Sequence, residues 1–312
     1  MGQLVELLEA GVSPNQYVRR PAEQMLDRWT GLPGYFSLLA ELVVHREAPV
    51  EARWLGAMCF KNGIKRGWRK GRHQTGGVSD DERVHLRVHA LGFLDVEDER
   101  IAKQIAEVMS QMAGFEFCSG WPELLPGILG RIGAHIGLSS QRDMILLRSL
   151  LRILKSVIRV LASKRLPADK RAFAELAPSV FEVLCSVWSV QSETFLSVCA
   201  ATQCEDSSCE LLGKTALCCM KILCCILVDG VPDFRAIENA TTYVNLLGPR
   251  LQSFVECCVH ISALGENSDG GLGKCIRACI EAMAETVVEL QRKDPKGFSE
   301  GGFLLPYLEK SA

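Results

Sequence analysis

The stretch PGYFSLLAELVVHREAPVEARWLGAMCFKNGIKRGWR, from Pro33 to Arg69, carries the pattern that decides the fold. It contains two amphipathic segments separated by a short break at Pro49, and it ends in a run of cations. Apolar residues recur every three or four positions in each segment, which predicts α-helix. Two such helices joined by a short connection are expected to pack as an antiparallel pair.

Helical periodicity continues along the rest of the chain. Ile101, Ile105, Val108 and Met112 follow one another at steps of four, three and four. Wider apolar stripes with the same spacing lie between residues 147 and 161 and between residues 173 and 187. No convincing alternation of a β-strand occurs. The sequence therefore predicts an all-α protein.

Predicted helix pairs recur at a regular interval. They cover residues 3–29, 34–68, 79–115 and 121–162, and Ser79 with Glu82 predicts a capping box at the start of the third pair. The spacing of roughly 40 residues is typical of HEAT and armadillo repeats. One pair cannot bury its apolar stripe alone, so neighbouring pairs are expected to stack. We predict a right-handed superhelical α-solenoid of HEAT/armadillo-like repeats.

The length of 312 residues exceeds what one compact core usually holds, about 250–300 residues. We predict two repeats over residues 1–75, further repeats over 76–200 and less regular helices over 201–292, including separate helices at 236–247 and 249–264. Residues 293–312 read as an atypical tail without a capping repeat. This tail suggests a truncated or alternatively ended form.

Composition and charge exclude several classes of protein. Apolar residues make up 48% of the chain and charged residues 23%, which is typical of a folded protein. The net charge of −2 gives no overall attraction for nucleic acid. The first residues lack the basic region of a secretory signal, and Lys221 interrupts the longest apolar run. We expect an intracellular chain without membrane insertion and with reduced thiols.

The fourteen cysteines do not follow a metal-binding pattern. No CxxC occurs, and no histidine stands at zinc-finger spacing from a cysteine pair. Because cysteine packs as a small apolar residue, we predict buried structural thiols, with no metal and no cofactor. The alternative is a metal site over residues 199–225, where the cysteines are Cys199, Cys204, Cys209, Cys218, Cys219, Cys224 and Cys225.

No known catalytic motif is present. The sequence has no GxSxG, HExxH or Walker-type loop, and the glycine-rich segment at 268–274 lacks the spacing of a phosphate loop. His85 and His89 share a helix face, as metal-ligating pairs do, but a solvated pair is the simpler interpretation. We predict that the chain is not an enzyme.

Two groups of cations could meet an acidic partner. Lys61, Lys65 and Arg69 lie four residues apart and share one helix face. A second face is predicted from Arg152, Lys155 and Arg159. The alternative for the first group is a solvated helix end, where cations are favoured by the helix dipole. Nucleic acid is an unlikely partner, because the aromatic residues form no stacking array.

Several stretches resemble the importin-beta superfamily, the karyopherins. They are AxxMLDRWxGLPGY at 22–35, EARWLGAMCFKNGIKRGWR at 51–69 and WPELLP at 121–126. Residues 160–196 are most similar to the importin-eleven branch of that family. Members are nuclear transport receptors built from HEAT repeats, and they bind the small GTPase Ran. The resemblance makes residues 1–75 the N-terminal repeats of such a receptor.

The resemblance implies a receptor that binds Ran-GTP on its concave face, couples this binding to protein cargo in nuclear import, and shuttles between cytoplasm and nucleus. Nucleoporins are further possible partners. Implied Ran contacts are Lys61, Asn62, Lys65, Arg66, Arg69, Lys103, Gln104 and Gln111. Two alternatives stay open: a HEAT-repeat scaffold without Ran dependence, and a truncated decoy that binds Ran without carrying cargo.

Overall fold

A computed structural model describes residues 1–68, 77–117, 120–137, 140–200, 206–263 and 271–295. Within these ranges the chain forms helices and their connections, without a strand. The all-α prediction is confirmed. The helices, in chain order, are α1 Gly2–Gly11, α2 Gln16–Trp29, α3 Tyr35–Val44, α4 Val50–Gly67, α5 Asp80–His89, α6 Glu99–Glu116, α7 Leu124–Ala134, α8 Gln141–Ala162, α9 Pro167–Ala200, α10 Asp206–Cys225, α11 Ala240–Ala263 and α12 Gly271–Lys293.

Two helices are longer than the sequence predicted. The apolar stripe predicted between residues 173 and 187 lies on α9, which continues to Ala200. The two predicted helices over 236–247 and 249–264 form one helix, α11, with Pro249 inside it. The prediction of a break at Pro249 was wrong. Leu247 and Phe254 are both buried seven residues apart, so one apolar face runs through the proline. Burial of that face outweighs the hydrogen bond that proline cannot make.

The chain forms two compact units. Unit 1 comprises residues 1–128 and 152–160, and unit 2 comprises residues 129–151 and 161–312. In unit 1, α1 packs on α2 and α4, and α3 packs on α4 and α5. In unit 2, α10 packs between α9 and α12, and α11 packs on both of these helices. The four-part division into residues 1–75, 76–200, 201–292 and 293–312 stays a prediction.

In unit 1, α4 and α6 run parallel, side by side. Near their first residues, Arg100 Nη2 lies 2.9 Å from Glu51 Oε1, and these partners are 49 positions apart in sequence. At their other ends, Trp68 Nε1 donates to Glu116 Oε1 at 2.6 Å across 48 positions. Since the separation hardly changes, residue n of α4 lies level with about residue n + 48 of α6.

Glu116 is the centre of a shielded polar network in unit 1. Besides accepting from Trp68, it accepts from Arg87 Nη1 of α5 at 2.7 Å. Arg87 Nη1 also donates to the carbonyl of Gly120 at 3.2 Å. The side chains of Arg87 and Glu116 are 23% and 16% exposed, and Trp68 is fully buried. One carboxylate therefore joins α4, α5 and α6.

The predicted capping box at the start of α5 is only half formed. The Ser79 hydroxyl accepts from the backbone N–H of Glu82 at 3.2 Å, as expected of an N-cap. The Glu82 carboxylate accepts instead from the backbone N–H of Ser37 at 3.0 Å and from the Ser37 hydroxyl. The glutamate thus ties α5 to α3, a tertiary contact that a local motif does not predict.

The core of unit 2 is aromatic and aliphatic. The Tyr243 ring lies edge-on to Trp188 and Phe181, with centroid distances of 4.9 and 5.7 Å. Phe195 of α9 stacks on Phe254 of α11 at 5.5 Å. All five side chains are almost wholly buried. Aromatic packing of this kind fixes α11 against α9.

A lysine far along the chain caps the π-helical turn Ile226–Gly230 that extends α10. Lys293 Nζ donates to the carbonyls of Leu227 at 3.1 Å and Val228 at 2.6 Å, and to that of Val231. Carbonyls at a helix end lack intrahelical partners, and an ammonium group satisfies them well. Burial lowers the pKa of Lys293.

Two helical segments are long and apolar enough to cross a membrane by length and composition, Pro167–Ala200 and Ser208–Gly230. The longest apolar run of the sequence, which Lys221 interrupts, lies inside the second segment, whereas the first segment was not predicted. In the more apolar segment, 67% of the most hydrophobic window is buried within the protein. A buried core helix passes the same test, so this finding is weak evidence for a membrane span.

Candidate functional site

The first group of predicted contact residues lies on the half of α4 that leads to its last turn. The opposite face of this helix is buried through Ala52, Phe60 and Ile64. At Gly63 the helix lies so close to α3 that an added Cβ would overlap the ring of Phe36. This close packing sets the orientation of α4 and leaves its other face to solvent.

The polar residues of that face are available to a partner. Asn62, Lys65 and Arg66 are exposed, and Lys61 is half-buried. Within the part of the chain that the structure describes, neither Lys61 nor Lys65 forms an ion pair. Arg66 Nε donates to the backbone carbonyl of Asn62 at 3.3 Å. The cluster Lys61, Lys65 and Arg66 is called the α4 cation cluster below.

The α6 candidates lie at defined levels beside this cluster. By the register of the two helices, Gln111 lies level with Gly63, whereas Lys103 lies level with Leu55. The level of Lys103 is therefore about 9–10 Å from that of Lys61 along the axis, at 1.5 Å per residue. Lys103 is exposed and its Nζ lies 3.4 Å from Glu99 Oε1. Exposed Glu107 lies between Lys103 and Gln111 in sequence, so the α6 face is of mixed charge.

Gln104 and Gln111 are less open than the sequence suggested. Both residues are half-buried, and their side-chain oxygens are shielded from solvent without a hydrogen-bond partner. In this conformation the carbonyl end of each amide is turned away from a partner in solution. Their role as contact residues stays a prediction. Arg69, the remaining candidate, lies outside the described residues, as do Lys70 and Arg72.

The second predicted basic face is partly used inside unit 1. Arg152 Nη2 lies 2.8 Å from Glu99 Oε1, and its Nη1 donates to the Glu99 carbonyl at 3.3 Å. This residue joins α8 to α6. Lys155 is half-buried, whereas Arg159 is exposed. The spacing in sequence correctly placed the three cations on α8, but it could not show that an acid at the start of α6 reaches Arg152.

Sequence reasoning missed the pairing of Glu51 with Arg100, whose guanidinium also lies 5.9 Å from the centre of the Trp54 ring. Each of these two charged residues is the second residue of its helix, and that repeated position was the available signal. It also missed a cleft of about 180 Å³ between α2 and α4, lined by Asn62 and Arg66 among others. Cys59 lies in this cleft, and burial raises the pKa of its thiol to about 11.

The described ranges offer no metal-binding geometry. They contain no group of three or more histidine, cysteine, aspartate or glutamate residues arranged to hold an ion. His85 and His89 are both exposed, with ring centroids 4.4 Å apart. Of the predicted cysteine cluster, Cys199 and Cys209 do come together, with their sulfurs 3.4 Å apart. Cys204 lies outside the described residues.

A family model of the importin-beta N-terminal domain matches residues 22–95. Importin-11 of Homo sapiens is 29% identical over 254 residues, which cover 81% of this chain and 25% of that protein. Over these residues the chain is similar to proteins of the importin-beta superfamily. The importin beta-like protein KAP120 of Saccharomyces cerevisiae is 23% identical over 78% of this chain and 23% of its own length. Exportin-2 of Pagrus major is 33% identical over 41% of this chain and 13% of its own length.

Solved structures of the superfamily share the fold. Lph2, a bidirectional nuclear transport receptor of S. cerevisiae, matches with a TM-score of 0.72 at 19% identity, over 90% of this chain and 26% of that one. The exportin Cse1 in its cargo-free state matches with a TM-score of 0.66 at 16% identity, over 96% of this chain and 30% of that one. The HEAT-repeat assignment is confirmed. The chain spans about a quarter of the length of Importin-11.

The match to the importin-beta N-terminal domain bears unequally on the candidates. Residues 22–95 include the α4 cation cluster and Asn62. Lys103, Gln104 and Gln111 of α6 lie beyond this segment, as do the three cations of α8. The match to the importin-beta N-terminal domain and the exposure of polar residues therefore coincide on α4.

Proposed function

We propose that the chain functions in nuclear transport and binds the GTP-bound form of Ran through the exposed face of α4, with α6 contributing Lys103. Binding of protein cargo for nuclear import would be coupled to it, and the chain would shuttle between cytoplasm and nucleus, with nucleoporins as further partners. The observation that supports this most is the α4 cation cluster, which is open to solvent inside the importin-beta N-terminal domain.

The contacts that each cation already makes within the chain determine how much it can contribute to binding Ran. Among the described residues, Lys61 and Lys65 have no ion pair to lose, so an acidic partner gains their full attraction. Lys103 is already 3.4 Å from Glu99, and binding would have to compete with that contact. Complementary charge accelerates association and sets partner choice more than it adds affinity. We therefore place the main contribution on α4 and a smaller one on α6.

The proposed coupling between Ran and cargo follows thermodynamic linkage. If Ran-GTP weakens cargo binding by some factor, cargo must weaken Ran-GTP binding by the same factor. The chain matches only a quarter of the length of Importin-11, whereas the α4 cation cluster lies inside the matched domain. Ran binding is therefore the part of the proposal to test first.

The test measures binding of the 312-residue chain to Ran loaded with GTP or with GDP. The double variant Lys61→Glu, Lys65→Glu is compared with Lys170→Glu, Arg171→Glu, which makes the same change of charge at exposed positions of α9 in unit 2. We expect binding selective for the GTP form, weakened about 30-fold or more by the α4 variant, as for loss of a 2 kcal/mol hot spot. The α9 variant should bind like the parent chain.

Three outcomes would contradict the proposal. Equal binding to both nucleotide forms by a chain with its helical circular dichroism intact would favour a HEAT-repeat scaffold. Equal loss in both charge variants would reduce the effect to overall charge. GTP-selective binding of Ran by a chain that binds no cargo would remove the coupling and leave a decoy.

A further inference from the structure

Three cysteine thiols of unit 2 meet beside a cavity between α9 and α11. The cavity has a volume of about 360 Å³, and Cys199 and Cys257 both line it. Cys199 Sγ lies 3.4 Å from Cys209 Sγ of α10. The Cys199 and Cys257 thiols also lie close enough for each to shift the pKa of the other. The three sulfurs thus form a continuous chain in which Cys199 is the middle member.

The three thiols differ in how far they are from solvent. Cys257 is half-buried in the wall of the cavity, Cys199 is 4% exposed, and Cys209 is fully buried. A small molecule that enters the cavity therefore meets Cys257 and Cys199 first. The Cys209 side chain has no exposed surface.

The surroundings of Cys257 favour its thiolate. A hydrogen bond from Cys199 lowers the pKa of the Cys257 thiol, whereas burial raises the pKa of Cys59, Cys185 and Cys219. The thiolate is the nucleophile in reactions with peroxides and disulfides. Glu256 and His260 line the same cavity and complete its polar wall.

We propose that Cys257, Cys199 and Cys209 form an oxidation site that takes hydrogen peroxide at the cavity and ends as a disulfide between Cys199 and Cys209. The site would make the junction of α9 and α10 sensitive to peroxide. It uses residues remote in sequence from the α4 cation cluster, and it does not depend on Ran binding.

The reaction has three balanced steps. The Cys257 thiolate attacks the peroxide: an S–O bond forms, the O–O bond breaks, and hydroxide leaves and takes up a proton to become water, which gives a sulfenic acid. Cys199 then attacks that sulfur, so that an S–S bond forms and the S–O bond breaks, and water leaves with the Cys199 proton. Finally Cys209 loses its proton and attacks the Cys199 sulfur, and Cys257 leaves as the thiolate and is protonated. Overall, two thiols and one peroxide give one disulfide and two waters.

The last step requires little movement. A disulfide has an S–S length of about 2.05 Å, so Cys199 and Cys209 must approach by about 1.4 Å from their present separation of 3.4 Å. Their ten-residue separation in sequence means that the bond closes a short loop between the last turn of α9 and the first turn of α10. The resulting constraint would be local to unit 2.

The test treats the fully reduced chain with about one equivalent of hydrogen peroxide, quenches it with N-ethylmaleimide and maps the peptides by mass spectrometry. Trypsin alone leaves Cys199 and Cys209 on one peptide, because no lysine or arginine lies between Arg171 and Lys214. Cleavage after Glu193, Glu205 and Glu210 separates them. A Cys204→Ser background makes the assignment to Cys199 unambiguous, since Cys204 shares its peptide.

We expect a cross-link between the peptides 194–205 and 206–210, formed at least about tenfold more slowly in Cys257→Ser, because a buried thiol of higher pKa then has to react first. Cys209→Ser should instead accumulate the cross-link between Cys199 and Cys257. Cys185→Ser is the matched control, a half-buried thiol of the same unit, and should leave the rate unchanged.

Several results would overturn the proposal. One is an unchanged rate in Cys257→Ser. Another is indiscriminate oxidation of all half-buried cysteines. This result is read from the parent chain, so it does not depend on whether a variant folds. A third is a cross-link between other residues. Reversal of the mass change by dithiothreitol distinguishes the disulfide from irreversible sulfinic acid, which would also count against it.

Discussion

Different kinds of contact stabilise the interior of unit 1 and the interior of unit 2. Helices of unit 1 are joined by charged pairs, with Glu116, Glu51 and Glu99 each reaching a cation of a neighbouring helix. Unit 2 also has such pairs, for example Arg250 of α11 with Glu193 of α9, but it adds the aromatic contacts and most of the thiols: eleven of the twelve described cysteines lie there, and only Cys59 lies in unit 1. Unit 1 should therefore respond to changes of charge, and unit 2 to changes of packing and to oxidation.

The largest expected effect is the loss of core packing in unit 2. Phe254→Ala removes a fully buried ring that stacks on Phe195, and large-to-small changes of this kind cost about 3–5 kcal/mol. Hydrogen exchange measured by mass spectrometry should show faster exchange in α9 and α11, with unit 1 unchanged. The neighbouring Val255→Ala, at a position 40% exposed, is the control and should change stability by less than about 0.5 kcal/mol. Equal loss of protection in unit 1 would contradict the contrast between the units.

A somewhat smaller effect is expected from breaking the shielded network of unit 1. Glu116→Ala leaves the Trp68 N–H without its acceptor and the Arg87 guanidinium without its carboxylate, which should lower the free energy of unfolding by about 2–4 kcal/mol. Four of the five tryptophans, Trp29, Trp54, Trp68 and Trp121, lie in unit 1, so fluorescence during urea unfolding reports mainly on this unit.

The control for this network is Glu51→Ala. It removes a pair whose side chains are about half exposed, and such pairs contribute at most about 1 kcal/mol. If the two variants lost equal stability, shielding from solvent would not be what makes Glu116 important.

The smallest expected effect is the pH dependence of alkylation at Cys59, the single described thiol of unit 1. Burial raises the pKa of Cys59 to about 11, so its thiolate is scarce at neutral pH. Its alkylation by iodoacetamide should rise about tenfold per pH unit up to about pH 11. A raised thiol pKa stabilises the fold fully below the ordinary value near 8.5, and this stabilisation is lost as pH rises toward 11. Alkylation rates from peptide mapping check this, and a plateau near pH 8.5 would contradict it.

Local sequence patterns predicted most of the fold. Periodicity placed α4 and α6 within one or two residues, because each buries one regular apolar face. The same reasoning was wrong at Pro249, where burial of Leu247 and Phe254 outweighs the proline. It was incomplete at Ser79, because the Glu82 carboxylate accepts a hydrogen bond from Ser37 of α3 and does not complete the capping box of α5. In both cases a tertiary contact determined the local structure, and a local sequence pattern carries no information about such contacts.

The candidate site was predictable in part for the same reason. The spacing of Lys61 and Lys65 fixed their common helix, and the structure leaves both without an ion pair among the described residues. Spacing could not show that Arg152 is engaged by Glu99, or that the oxygens of Gln104 and Gln111 are shielded. Each of these depends on the neighbouring helix.

The lysine cap of unit 2 has a consequence for synthesis of the protein. The hydrogen-bond donor to the carbonyls of Leu227, Val228 and Val231 is Lys293, which is synthesised 66, 65 and 62 residues after them. At about 5–20 residues per second, a ribosome adds that length in roughly 3–13 seconds. During this interval the end of the π-helical turn has neither its ammonium partner nor the α12 surface. A quality-control factor that recognises incomplete helices could therefore bind this π-helical turn of the nascent chain during those seconds.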